Sequence, residues 1–186
     1  FGKNFTSPIT KNCLNHYKFY LVDSLFIDAN WCYQIDFIPK RNGELTFDGT
    51  LWINDTTYAV KKVKGFINKT ANINFINELE LTQVFEQVEP EIWMLTKDEL
   101  FVDFEWLEKG LGVYANKNTF YSNFSINKPL ENSFFNNEEK ISISDTATSK
   151  SNLFWIENRQ EKLSQQEQFI YSMVDSLKDV PVIKTY

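Results

Sequence analysis

The chain of 186 residues is poor in the residues that catalytic and metal sites most often use. Its only histidine is His16, which excludes a multi-histidine metal site and has no orienting acid beside it in the sequence. We expect a structural or merely exposed His16. No G-x-G-x-x-G, P-loop or G-x-S-x-G motif is present, and only six glycines are available to surround a phosphate. We therefore predict no catalytic residue, no cofactor site and no metal site, and we expect the chain not to be an enzyme.

Basic clusters and long apolar runs are also absent. The 19 Lys and Arg residues are outnumbered by 25 Asp and Glu residues, and the longest basic cluster runs only from Lys61 to Lys64. Phosphate neutralisation dominates nucleic-acid binding, so nucleic acid is excluded as a partner. No stretch approaches the roughly 18 apolar residues that a spanning helix needs, so this segment is not expected to cross a membrane. The opening FGKNFTSPIT has neither Met nor a signal-peptide core, and we expect a segment of a longer chain.

The two cysteines, Cys13 and Cys32, are not spaced as a C-x-x-C motif. If the strand before Asp28 pairs with the strand after it, Cys32 faces residues near Ile27. That register leaves the two thiols beyond the Cα separation of about 7 Å that a disulfide tolerates. We therefore expect two unpaired thiols.

Aromatic residues make up 16% of the sequence, with 17 Phe, and hydrophobic residues make up 42%, which is enough for a core. Apolar and polar residues alternate in most of the chain, and this alternation predicts β-strands. Short polar turns such as Asn54 to Thr57 separate them. The pattern predicts a mainly β fold, a curved antiparallel meander or half-barrel of about seven to nine strands. The strands are expected at 15–27, 31–37, 45–53, 58–66, 73–85, 91–96, 100–108 and 113–126.

Several predicted strands carry large apolar side chains on both faces. Trp52, for example, points away from Leu51 and Ile53. A sheet of this kind must cover both faces or curl around something apolar. The candidate ligand-facing or core aromatics are Trp31, Tyr33, Phe37, Phe47, Trp52, Trp93 and Phe104.

The last third of the chain has a different pattern. We expect a sheet domain over residues 1–130, a polar linker or loop over 131–152, and a C-terminal helical segment over 153–186 that packs on the sheet or leads to the next domain. Ser164 and Glu167 form a capping-box pattern at the start of one helix. Phe169, Ile170, Met173, Val174 and Leu177 follow at helical spacing, which is typical of a packing stripe.

One pair of acids, Asp103 and Glu105, lies two residues apart on a predicted strand. Such a pair is found among hydrolase acids and calcium ligands. However, the run DELFVDFEWLEKG lacks a calcium-loop pattern, and acids that alternate with apolar residues are typical of a solvated strand face. We favour the solvated face.

Six stretches resemble, in order, a family of unknown function from Bacteroidota-type Gram-negative bacteria: HYKFYLVDS, CYQIDFIPKR, LTFDGTLWINDTTYAVKKV, ANINFINELELTQVF, WMLTKDELFVDF and FWIENRQEKLSQQEQFIYSMVDSLK. Members of the family resemble outer-membrane barrel proteins preceded by a carboxypeptidase-regulatory-like domain. The resemblance implies that this chain is the periplasmic portion between that domain and the barrel, attached to the outer membrane through its parent protein. The most specific matches are Ile38 to Arg41, Phe47 to Gly49, Leu51 to Ile53, and Trp155 with Arg159, Leu163 and Glu167.

A looser likeness concerns the pattern F-x-G-x-L-x-I-N that starts at Phe47. It resembles one repeat of the lipoprotein-carrier half-barrels, in which a curved sheet encloses an apolar cavity, and it implies no binding position. Three hypotheses follow. The first is a non-catalytic periplasmic module that supports a membrane barrel or recruits partners to it, and the alternative is a binder of lipid or lipoprotein acyl chains. An enzyme that uses Asp103 and Glu105 is the third.

Overall fold

The computed structural model describes residues 4–67, 73, 76–105, 112–136 and 149–178. Seven antiparallel strands form one sheet, and their order in the sheet is their order in the chain. The sheet is open and does not close into a barrel. The predicted mainly β antiparallel meander is therefore confirmed. The strands are β1 (Tyr17–Ile27), β2 (Asn30–Pro39), β3 (Asp48–Asn54), β4 (Val60–Ile67), β5 (Ile76–Glu89), β6 (Ile92–Glu105) and β7 (Gly112–Phe120).

Three α-helices and one 3₁₀ helix accompany the sheet in the described part of the chain: α1 (Cys13–His16), the 3₁₀ helix (Asn132–Phe135), α2 (Asn152–Asn158) and α3 (Gln165–Lys178). The chain divides into two compact units, Phe1–Asn127 and Lys128–Tyr186. The sheet belongs to the first unit, and α2 and α3 belong to the second. The sequence-based boundaries at 130 and 152 stay predictions, and most of the predicted linker, residues 137–148, lies outside the described residues.

Two tight turns set the register of the first four strands. A two-residue loop at Asp28, whose φ is 53°, joins β1 to β2 so that Ile27 pairs with Asn30. The side-chain oxygen of Asn54 accepts hydrogen bonds from the backbone N–H groups of Thr56 and Thr57, at 3.2 and 2.8 Å. Such side-chain acceptors stabilise turns. The predicted turns therefore form, and they fix the strand pairing.

The register confirms the expectation for the cysteines. Cys32 pairs with Leu25 of β1, whereas Cys13 lies on α1 before the strand begins. Both thiols are free.

The predicted strands 91–96 and 100–108 are one continuous strand, β6. The polar residues from Thr96 to Glu99 suggested a break between two strands. In the structure they stay paired with β5, and a bulge at Thr96 keeps the ladder continuous: Val84 pairs with Lys97 and Phe85 with Leu95. A bulge lets a ladder continue past one unpaired residue. The same long pairing explains why β5 extends to Glu89.

The capping box at the start of α3 is confirmed. Glu167 accepts a hydrogen bond from the backbone N–H of Ser164 at 2.8 Å, and Ser164 Oγ accepts one from the N–H of Glu167 at 3.2 Å. The backbone N–H and the hydroxyl group of Ser164 both donate to the Glu167 carboxylate, and these two bonds lower the pKa of that carboxyl. Each of the two residues thus satisfies a backbone donor that the helix start leaves unpaired.

The two faces of the sheet differ in chemistry. One face, here called the apolar face, carries the buried core of Tyr17, Phe37, Leu51 and Val63. The other, here called the charged face, carries the alternate residues of the same strands, for example Lys64 of β4 opposite Thr50 of β3. Because side chains alternate along a strand, the register assigns every strand residue to one of the two faces.

Candidate functional site

One end of the apolar face lies beneath a cover formed by residues 5–9 and Phe47. The ring of Phe5 lies 5.3 Å from the ring of Phe47. A Cβ added at Gly65 would lie 3.4 Å from Phe47, so the loop aromatic rests directly on the glycine of β4. At that distance an alanine methyl group would make ordinary van der Waals contact with Phe47.

Tyr17 fastens this cover to the sheet. Its hydroxyl group donates a hydrogen bond to the carbonyl oxygen of Thr6 and accepts one from the backbone N–H of Phe47 at 3.2 Å. Thr6 in turn donates its N–H to Leu45 at 2.9 Å. Burial raises the pKa of the Tyr17 phenol, although the bond from Phe47 acts in the opposite direction. A single side chain of β1 therefore holds both segments of the cover.

A cavity of about 140 Å³ lies between the cover and the apolar face. It is lined mainly by apolar side chains, among them Phe5, Pro8, Phe37, Phe47, Val63 and Leu81. Pockets that enclose small-molecule ligands are usually roughly 300 Å³ or larger. With the cover in place, this end of the face is therefore mostly filled by the protein's own side chains.

The apolar face is open at its other end, on the β1–β2 hairpin. Leu21, Phe26, Trp31 and Tyr33, here called the hairpin surface, are 68%, 65%, 36% and 37% exposed. The rings of Phe26 and Trp31 meet edge to face with their centroids 4.7 Å apart. Trp31 and Tyr33 alternate with Cys32 along β2 and so share the face of the buried Phe37. The hairpin surface thus continues the core without a cover among the described residues.

The seven aromatics predicted as ligand-facing or core residues fall into four groups. Phe37 is fully buried in the core, while Phe47 belongs to the cover. Trp31 and Tyr33 belong to the hairpin surface. The other members of the set are half-buried: Trp93 and Phe104 on the apolar face, and Trp52 on the charged face. Ligand contact by any of them stays a prediction.

Trp52 lies among polar and charged neighbours. Lys62 places its ammonium group 5.3 Å from the centre of the Trp52 ring, a cation–π distance. Nearby, Lys64 pairs with Glu80 at 2.9 Å. The sequence identified Trp52 as a large side chain on the second face, but it could not show that the Lys62 ammonium group lies over its ring. Trp52 is therefore half-buried among polar groups and is not part of a second apolar layer.

Lys61 is a site that the sequence did not reveal. Its side chain is fully buried, with its ammonium group 2.6 Å from Glu86 and 3.1 Å from Asp28. A bulge opposite Ile53 leaves Lys61 unpaired in the ladder, whereas its neighbour Lys62 is half-buried. In the sequence it is one member of a basic run that is typical of a solvated strand.

Cys32 lies close to this ion cluster. Burial raises the pKa of the Cys32 thiol, and the charge of Lys61 opposes that rise. A thiol with a raised pKa holds little thiolate, the form that reacts as a nucleophile. The ion pairs of Lys61 link the hairpin turn, β4 and β5. Cys32 beside them is not an activated nucleophile.

His16 has a partner that is distant in sequence. Its Nδ1 lies 3.0 Å from Glu44, which also binds Arg41 at 2.6 Å. The hydrogen bonds from Arg41 and His16 lower the pKa of the Glu44 carboxyl. The three residues fasten the loop after β2 to the end of α1, which is a structural role.

No group of three or more His, Cys, Asp and Glu residues is placed to hold a metal ion in the part of the chain that the structure describes. Asp103, one of the two acids weighed above, lies 3.5 Å from the side-chain nitrogen of Asn77. The side chain of Glu105 lies outside the described residues. No described helix is long and apolar enough to span a bilayer.

These features define a class of protein: an open antiparallel sheet with one apolar face, partly covered, and one charged face. The sequence matches a family of unknown function (DUF5686) over residues 1–124. The match spans most of the chain and the whole sheet, so the chain belongs to this family. Searches of curated proteins and of solved structures gave no significant match.

Proposed function

We propose that the chain is a non-catalytic periplasmic module of a larger outer-membrane protein, and that it recruits a partner to the membrane barrel of that protein. The hairpin surface is the observation that carries this proposal. Its four side chains are apolar, contiguous with the core and exposed, and exposed apolar patches of this kind mark interaction sites. The outer-membrane and periplasmic setting rests on the family resemblance of the sequence stretches given above.

The hairpin surface suits a protein partner. Two of its four residues, Trp31 and Tyr33, are of the types enriched in interface hot spots. Phe26 and Trp31 support each other edge to face, which limits the freedom lost when a partner binds. The ion pairs that the buried Lys61 makes with Glu86 and Asp28 hold the hairpin turn beside this surface.

A crosslinking experiment in cells tests this proposal. A photoreactive phenylalanine analogue replaces Tyr33 in the full-length parent protein, and a matched control carries it at Tyr20, an exposed tyrosine of β1 on the charged face. We expect a discrete crosslinked species, identifiable by mass spectrometry, from position 33 and not from the control position. Equal crosslinking at positions 33 and 20, or none at 33, contradicts the proposal. An alkaline phosphatase fusion, active only outside the cytoplasm, tests the periplasmic location.

A second candidate function is the binding of a lipid or lipoprotein acyl chain. It is supported by the continuity of the apolar face, which runs from the covered cavity to the hairpin surface. On that face the indole N–H of Trp93 is buried and has no hydrogen-bond partner among the described residues, so a ligand acceptor would satisfy it. The cavity of about 140 Å³ is too small for such a chain unless the cover moves.

Thermal unfolding of delipidated protein distinguishes the two candidates. A ligand that binds only the native state raises its stability by mass action, by about 2.7 kcal/mol at 100 times its dissociation constant. Acyl-chain binding predicts a rise in Tm with a fatty acid, a phospholipid or a lipopeptide, and a smaller rise for Trp31→Ser. No rise with any of the three contradicts acyl-chain binding and leaves the recruiting module.

A further inference from the structure

The two edges of the sheet are built differently. At one edge, β1 contains a bulge at Val22 and carries Lys18 and Asp23. Bulges and charged side chains are the usual means by which a sheet edge avoids pairing with another chain. At the other edge, β7 contains no bulge and no proline, and its only charged residue is Lys117. Every residue of β7 except Thr119 is exposed. Among the described strands, only β7 is therefore open to an additional strand.

The direction of the backbone groups of β7 follows from the register. Tyr121, just after the strand, donates its N–H to the carbonyl oxygen of Thr96 at 2.9 Å. The pairing of β6 with β7 has no irregularity, so inward and outward groups alternate along the whole strand. The N–H and C=O groups of Tyr114, Asn116 and Asn118 therefore point away from the sheet. They form a row of donors and acceptors that an antiparallel strand can bind.

We propose that β7 binds β7 of a second copy of this chain, antiparallel and about a two-fold axis at Asn116, so that the two sheets join edge to edge. This proposal does not depend on the recruiting function proposed above. The axis is perpendicular to the sheet, so the apolar faces of both copies lie on the same side. Homodimers most often use a two-fold axis of this kind, in which one surface binds itself.

The side chains of β7 are complementary to themselves in this register. A β-branched pair and an aromatic residue opposite a glycine are both favourable across strands. No like charges lie opposite each other, whereas a shift of two residues towards the C-terminal end would place Lys117 opposite Lys117. The pairs are Asn116 with Asn116, Ala115 with Lys117, Tyr114 with Asn118, Val113 with Thr119, and Gly112 with Phe120.

The first test is the mass of the 186-residue chain in solution. Sedimentation or light scattering between about 1 and 100 µM, the range expected for a modest interface, should show the mass rising to twice that of one chain. A single-chain mass at the highest concentration overturns the proposal.

A charge swap at the two-fold axis tests the register. Asn116→Lys and Asn116→Glu each place like charges opposite one another and should weaken dimerisation at least about tenfold. An equimolar mixture should restore the dimer, because unlike charges then meet. The matched control is Asn118→Lys, which faces Tyr114 and should weaken the dimer less. Failure of the mixture to recover, or loss of the dimer in a Phe26→Ser variant instead, overturns the proposal.

A backbone test uses Asn116→Pro. Proline removes the outward N–H of residue 116, which β6 does not bind, so the edge should tolerate it. Circular dichroism verifies the fold, and the dimer should be lost. A folded Asn116→Pro variant that remains dimeric overturns the proposal, and the charge swap decides the matter if this variant does not fold.

Discussion

The two faces of the sheet are built from the same seven strands, yet the protein treats them oppositely. The cover fills one end of the apolar face. At the other end the hairpin surface is exposed. The charged face relies on cross-strand pairs such as Lys64 with Glu80 and Thr50 with Asp36, and its fully buried Cys32 lies beside the charge of Lys61. A sheet needs only one buried face to be stable, so the second face is free to meet water. Partner binding is therefore expected where the apolar face is incomplete.

The largest expected difference in unfolding free energy is between a substitution in the core and one on the charged face. Phe37→Ala removes a fully buried ring and should lower the free energy of unfolding by about 3–5 kcal/mol. Trp52→Ala removes a half-buried ring from the charged face and should cost less than half as much, since water already reaches that site. Urea unfolding of both variants measures the difference. Equal losses would mean that the second face is a core in its own right.

A smaller difference in unfolding free energy is expected between an ion pair whose ammonium group is buried and one in which both groups are exposed. Glu86→Gln leaves the buried Lys61 ammonium group with only Asp28 and should lower the free energy of unfolding by about 2 kcal/mol. Glu80→Gln removes the partner of the exposed Lys64 and should cost about 0.5 kcal/mol or less. Adding 1 M NaCl should reduce the second effect more than the first, because the Lys61 ammonium group is buried and both groups of the Lys64–Glu80 pair are exposed. If urea unfolding gave equal losses of stability for Glu86→Gln and Glu80→Gln, burial of Lys61 would not strengthen its ion pair.

The smallest effect concerns the cover. Tyr17→Phe removes the hydrogen bonds to Thr6 and Phe47 and should cost about 1–2 kcal/mol at neutral pH. Because the pKa of Tyr17 is raised in the folded protein, its contribution is complete below about pH 10 and declines as the pH rises through the folded value.

The stability gap between Tyr17→Phe and the unaltered protein should therefore narrow above pH 10 in urea titrations. Tyr20→Phe, at an exposed tyrosine of the same strand, is the matched control and should show almost no gap at any pH. A gap for Tyr17→Phe that stays constant to pH 12 would mean that the phenol is not tied to the cover as described.

Much of the fold could be predicted from the sequence because the signals were local. Alternation of apolar and polar residues predicted the strands. Asp28 and Asn54 predicted turns, and Ser164 with Glu167 predicted the start of α3. The unpaired cysteines also followed, since a hairpin register is a local property. The break predicted between Thr96 and Leu100 was wrong, because a polar stretch inside a strand is indistinguishable from a loop until its partner strand is known.

The candidate site was less predictable, since it depends on neighbours that are distant in sequence. His16 lacked a visible partner because Glu44 lies 28 residues away. Gly49 is a second example. A Cβ at Gly49 would lie 2.0 Å from the carbonyl oxygen of Lys64, so the glycine allows β3 and β4 to approach closely.

The sequence by itself determined the meander, its hairpins and its free thiols, because strand period and turn chemistry act over a few residues. Only the tertiary structure decided that Trp52 lies beside Lys62, that Lys61 is buried between two acids, and that the cover stops short of the hairpin surface. Burial and charge pairing are set by the whole sheet and by the bulge that displaces one lysine from its ladder. A pattern of residue types carries no information on which side chains those long-range contacts will enclose.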